Sequence, residues 1–95
     1  MRTPAGLQAR GKSLWRKITG EFDLENEFDR LELLFQACKT ADQIAELDEA
    51  AAQAPLTVNG SMGQPVISPF IAEARVQRAL LAQLLGRMNF EGSDQ

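Results

Sequence analysis

Four cations within eight positions, Arg10, Lys12, Arg16 and Lys17, are the residues of this chain best suited to chemistry, and that chemistry is the binding of an anion. Together with Arg2 they make residues 1–20 a segment with five cations and no acid. At about 100° per residue on a helix, Arg10 lies beside Lys17 and Lys12 beside Arg16. Both pairs fall off the side occupied by Gly11, Leu14, Trp15 and Ile18, so they stay open to solvent or phosphate. Residues 21–53 hold ten acids against Arg30 and Lys39, and the remainder is balanced, which gives the net charge of −3. A basic arm on an acidic body points to a polyanionic partner. The competing reading is a solvated helix whose cations meet the acids of the same or a neighbouring subunit.

Other chemistries find less support. Glu25, Asp29, Glu32, Asp42, Glu46 and Asp48 are spread along the flanks of a helical pattern, where solvated acids belong, with no Ser, His or Lys constellation beside them. A nuclease or hydrolase would need its acids gathered at one place to hold a metal. With one cysteine and no histidine the chain can form no internal disulfide and offers too few ligands for zinc. Cys38 lies on the apolar stripe with no histidine to activate it, so it reads as a small buried hydrophobe. The glycines of Asn59-Gly60-Ser61-Met62-Gly63 could admit an anion to backbone amides. They lack the P-loop spacing, a neighbouring lysine and a strand-to-helix junction. The residues call for no cofactor and no metal.

Three helices and a hairpin have to position these groups. The first helix is expected from about Leu7 to Thr19, with Gly20 as its C-terminal cap. Trp15 shares the apolar side with Leu14 and Ile18 and reads as a packing anchor. Asp23 is the expected N-cap of a long second helix whose stripe runs Phe28, Leu31, Leu34, Phe35, Cys38, Ala41, Ile44, Ala45 and Leu47 until Pro55. One helix of about 29 residues is favoured, with a kink near Thr40 as the alternative. Leu56-Thr57-Val58 and Pro65-Val66-Ile67 are β-prone runs joined by glycines, a hairpin signal, with Pro65 at an edge or first strand position. Ser68-Pro69 reads as N-cap and first residue of a third helix reaching about Met88.

The expected fold is therefore mainly α, with one helical domain over residues 1–88, a β-hairpin inserted at 56–67, and a mobile tail at 89–95. A chain this short buries only about 60–65% of its unfolded surface, and an isolated hairpin is scarcely stable. The third helix is apolar on one side through Phe70, Ile71, Ala74, Leu81, Leu84, Leu85 and Met88, and Val76, Ala79 and Leu80 widen that side beyond what one neighbour covers. Arg75, Arg78 and Arg87 interrupt the opposite side and could meet acids of the second helix or nucleic acid. A homo-oligomer is implied, with Leu56, Val58, Val66, Ile67, Leu81 and Leu84 as its candidate interface. No apolar run approaches the ~20 residues of a membrane span, and the first residues lack the apolar centre of a signal peptide, so neither membrane insertion nor export is expected.

The order of these features carries a resemblance. Gly11-Lys12-Ser13-Leu14-Trp15-Arg16, Ala37-Cys38-Lys39-Thr40-Ala41-Asp42, the turn Asn59-Gly60-Ser61-Met62-Gly63-Gln64-Pro65 and the run Glu73-Ala74-Arg75-Val76-Gln77-Arg78-Ala79-Leu80-Leu81 follow one another across residues 6–90. In this series the chain resembles the terminase small subunits of tailed bacteriophages. The resemblance implies a DNA-packaging protein, not an enzyme, that works in the cytoplasm of the bacterial host. It would assemble into a ring-like oligomer, engage double-stranded viral DNA, and regulate a large subunit that holds the ATPase and nuclease. The alternative is a helical adaptor that binds only protein.

Overall fold

The structure, a computed structural model, describes residues 2–54, 57–59, 63 and 65–88. The order of elements is α1 (Ala9–Glu21), α2 (Phe28–Ala52), β1 (Thr57–Asn59), β2 (Pro65–Ile67) and α3 (Pro69–Arg87). The fold is mainly helical, as the composition and periodicity require. No helix among the described residues is long and apolar enough to cross a membrane.

Helix α1 does not cap itself. Gln8 holds the N-cap position with extended backbone and makes no side-chain cap bond. The capping acceptor comes from α2. The carboxylate of Asp42 accepts the backbone N–H of Gln8 at 2.7 Å and that of Gly11 at 2.6 Å, across more than thirty positions of sequence. Two of the four orphan donors of a helix start are thereby paired with a negative charge, at the end where the helix dipole favours one. Gly11 is what lets the two helices come this close. A Cβ added there would sit 2.5 Å from Oδ2 of Asp42 and 2.8 Å from the carbonyl oxygen of Cys38.

The helix boundaries depart from expectation in two places, each for a local reason. Gly20 does not cap α1. The helix continues to Glu21 and stops where Phe22 turns extended, its N–H still donating to the Ile18 carbonyl at 3.0 Å. Asp23 does not cap α2 either. Its Oδ1 accepts from the Glu25 N–H at 3.1 Å within a turn that buries Leu24 and passes through Asn26 at φ 68°, so α2 begins at Phe28. The result is a helix of 25 residues, about 37 Å long, that runs unbroken past Thr40, whose hydroxyl donates to the Gln36 carbonyl. Phe28, expected on the apolar stripe, is 76% exposed.

The core lies where α1, α2 and the end of α3 meet: Leu7, Trp15, Leu24, Leu34, Cys38 and Met88 are buried together, with Leu14, Ile18, Phe22, Leu31, Leu33, Phe35 and Leu85 packed around them. Each large apolar side chain fully buried there contributes about 1.5–3 kcal/mol relative to exposure. The most extensive helix contact is between α2 and α3, followed by α1 against α2.

The hairpin is antiparallel, with Thr57 opposite Ile67, Val58 opposite Val66 and Asn59 opposite Pro65. Pro65 takes the first position of its strand, where its missing N–H costs least, and Gly63 has φ +84° on the return. Ser68 then caps α3 as expected. Its buried Oγ accepts the Phe70 N–H at 3.3 Å, and Pro69 follows at N1.

Candidate nucleic-acid interface

Since α1 has its main packing contact on one side, against α2, the rest of its circumference is open. Trp15 is 5% exposed and Gly11 is buried, while Leu14, Ile18 and Thr19 are half-buried. Arg10, Lys12, Arg16 and Lys17 are all exposed. Among the described residues none of them forms an ion pair. Ion pairs among the described residues lie elsewhere, as between Arg30 and Glu27 at 3.8 Å and between Arg78 and Asp48 at 2.6 Å. The basic residues thus do not neutralise the acids of α2 within the same chain, which answers one half of the competing reading. Trp15 is an anchor as expected. Its ring is buried and so cannot stack on a base, and its indole N–H has no acceptor among the described residues.

The acids divide into two kinds. Glu25, Asp29, Glu32, Glu46 and Asp48 are exposed, and Asp48 is engaged by Arg78. Asp42 corrects the expectation of a uniformly solvated series: it is 7% exposed and serves as the cap of α1. Periodicity put it on a flank of α2 but could not show that another helix would dock there. Cys38, one turn away, is fully buried, and burial first, then the negative charge of Asp42, push its thiol from 9.0 up to about 12. A thiol held neutral in this way is no nucleophile. Among the described residues no group of three or more His, Cys, Asp or Glu gathers to hold a metal ion.

The three arginines of α3 differ. Arg78 reaches Asp48 across the helix joint and, with Arg10, Ile44 and Leu81, lines an open groove between the helices. Arg75 and Arg87 are exposed, and Arg87 borders a cleft with Glu27, Phe28 and Met88.

The candidate interface residues fall into three groups. Leu56 lies outside the described residues, and Val58 is in β1 facing Val66 across the ladder. Val66 and Ile67 are exposed. Leu81 and Leu84 are half-buried, whereas Val76 at 59% and Leu80 at 39% stand farther out on α3, with Phe70 exposed at its start. Leu7 and Leu24 are core residues that the apolar stripes did not include: Leu7 precedes α1, which begins at Ala9 rather than at about Leu7, and Leu24 lies in the turn between α1 and α2. No protein-family model, curated protein or solved structure matches the chain.

Proposed function

We propose that this protein is the small subunit of a phage terminase, a non-enzymatic component that assembles into a ring-like oligomer, engages double-stranded viral DNA and regulates the large ATPase and nuclease subunit during genome packaging. The observation that carries the DNA contact is the row of four exposed cations on α1, none of them paired with an acid among the described residues. Unpaired cations on a helix mounted against an acidic body are free to replace the counterions of a phosphate backbone. Support for assembly comes from Val66, Ile67, Phe70, Val76 and Leu80, large apolar side chains left exposed on the hairpin and α3.

The test joins two measurements. Titration of duplex DNA at several salt concentrations should give an affinity that falls steeply with salt, and light scattering at micromolar concentration should give a multi-subunit species. A salt-insensitive absence of DNA binding with assembly intact would leave the protein-only adaptor. A monomer of 10.5 kDa that stays monomeric on concentration would end the ring.

A further inference from the structure

Of the eight exposed residues of α1, the seven from Ala9 to Gly20 are ordered around the helix in a way that a merely solvated face does not require, while the eighth, Glu21, lies in the last turn on the side of Arg10 and Lys17. At about 100° per residue, the direction opposite the buried Gly11 and Trp15 is occupied by Ala9, Ser13 and Gly20, all exposed. Lys12 and Arg16 lie to one side of this ridge, and Arg10 and Lys17 to the other, the two pairs about 130° apart. The apex of the helix, farthest from the body of the protein, is thus made of small residues, and a cation pair flanks it on each side. Along the axis, Lys12 and Arg16 are about 6 Å apart and Arg10 and Lys17 about 10 Å, distances that fit phosphates along a strand rather than one shared site.

A second feature narrows how an anion can approach. The N-terminus of α1, the usual place for a phosphate on a helix, is closed by the Asp42 carboxylate on the Gln8 and Gly11 amides. Phosphate contact must come through the flanks. The same clamp, with Gly11 pressed against α2, holds the helix so that its small-residue ridge faces outward.

From this we infer that α1 enters the major groove of duplex DNA ridge first, with Lys12 and Arg16 on the phosphates of one strand and Arg10 and Lys17 on those of the other. An α-helix of about 10–12 Å diameter fits a groove about 12 Å wide and 8.5 Å deep, and a ridge without long side chains lets it sit close to the floor. That floor meets one hydrogen-bonding side chain, Ser13, which can donate or accept. No bidentate base reader is present on the ridge, so binding is tolerant of sequence. The deep, narrow major groove of duplex RNA would not admit the helix. This inference rests on the DNA-binding reading and adds the mode of contact.

The experiment uses the full chain and a labelled 30-base-pair DNA duplex, with affinity measured across salt. The double variants Arg10→Ser with Lys17→Ser, and Lys12→Ser with Arg16→Ser, should each lower the salt slope by about two units. Ser13→Trp keeps every charge, lies at an exposed position and should weaken binding at least tenfold, while Glu32→Trp on α2 should leave it within twofold. Duplex RNA of the same length should bind at least tenfold more weakly than the DNA. If only one cation pair affects the slope, if Ser13→Trp binds within twofold of the parent, or if RNA binds equally well, the groove-straddling mode is overturned and DNA binding itself stands. If the parent chain shows no salt-dependent DNA binding, the functional reading fails and the mode fails with it.

Discussion

The joint between α1 and α2 and the outer face of the hairpin and α3 satisfy their surfaces in opposite ways. At the joint, Trp15 is 5% exposed, Leu34 and Cys38 are fully buried, and a buried carboxylate pairs two backbone amides of the neighbouring helix. On the outer face, Val76 is 59% exposed, Leu80 and Phe70 about as open as the strand residues Val66 and Ile67, and the described polar contact of α3 with α2 is the exposed Arg78–Asp48 pair. The first region spends its apolar and polar groups within the chain and gains a fixed orientation for α1. The second leaves its apolar surface open, which is the surface that the proposed assembly would cover.

The most direct way to break this contrast is Asp42→Ala. It strips the charged acceptor from two amides at the α1 start, and hydrogen bonds to a charged group are worth about 1.5–3 kcal/mol each. A loss of about 3–5 kcal/mol should appear as a fall in Tm of roughly 15 °C or more. A loss below 1 kcal/mol would mean that α1 is held by its apolar contacts alone. Gly11→Ala tests the same joint from the other side. Its Cβ meets Asp42 and the Cys38 carbonyl at less than 3 Å, and overpacking of this kind costs about 1–3 kcal/mol. At Gly20, where nothing lies within 4 Å, the same substitution should stabilise by up to about 1 kcal/mol, since helical glycine is the poorer helix former.

Cys38 gives the joint a pH signature. Its raised thiol pKa means that the folded chain keeps the proton while the unfolded chain loses it, so stability is fully present below about 9 and falls as pH rises toward about 12. Thiol labelling at pH 8 should be slow in the native chain and complete on unfolding. Rapid native labelling would show that α1 opens readily.

On the outer face, Val76→Asp and Leu80→Asp should abolish the proposed multi-subunit species; the change at Val76, 59% exposed, should alter the stability of the monomer by about 0.5 kcal/mol or less, and the change at Leu80, 39% exposed, by more. Leu81→Asp and Leu84→Asp are poorer probes, since their half-buried side chains would also cost folding. Assembly unchanged by the outer pair would place the contact on the hairpin instead. The smallest effect belongs to Arg78→Ala, which removes an exposed ion pair worth about 0–1 kcal/mol and should be nearly silent in high salt.

Much of the fold is legible in the sequence because its determinants are local. Ser68-Pro69 caps and starts α3 with atoms two residues apart, and the glycines with the β-prone runs on either side specify the hairpin. The 3.6-residue period carries α2 past Thr40, and the same period sets the cations of α1 apart from its apolar side. Those cations were recognisable because charge and angle both follow from sequence. What only the tertiary structure decided depends on which faces meet. Asp42 has the same chemistry and a similar helical setting as Asp48, yet one is a buried cap and the other an exposed ion pair, because α1 docks against the first and Arg78 reaches the second. Leu24 is buried by a turn rather than a helix, and Phe28 is exposed at the first position of α2, facts that no period contains. A helical repeat tells which residues share a side; contacts more than thirty positions apart decide which sides are covered, because burial is a property of the neighbouring element and not of the residue.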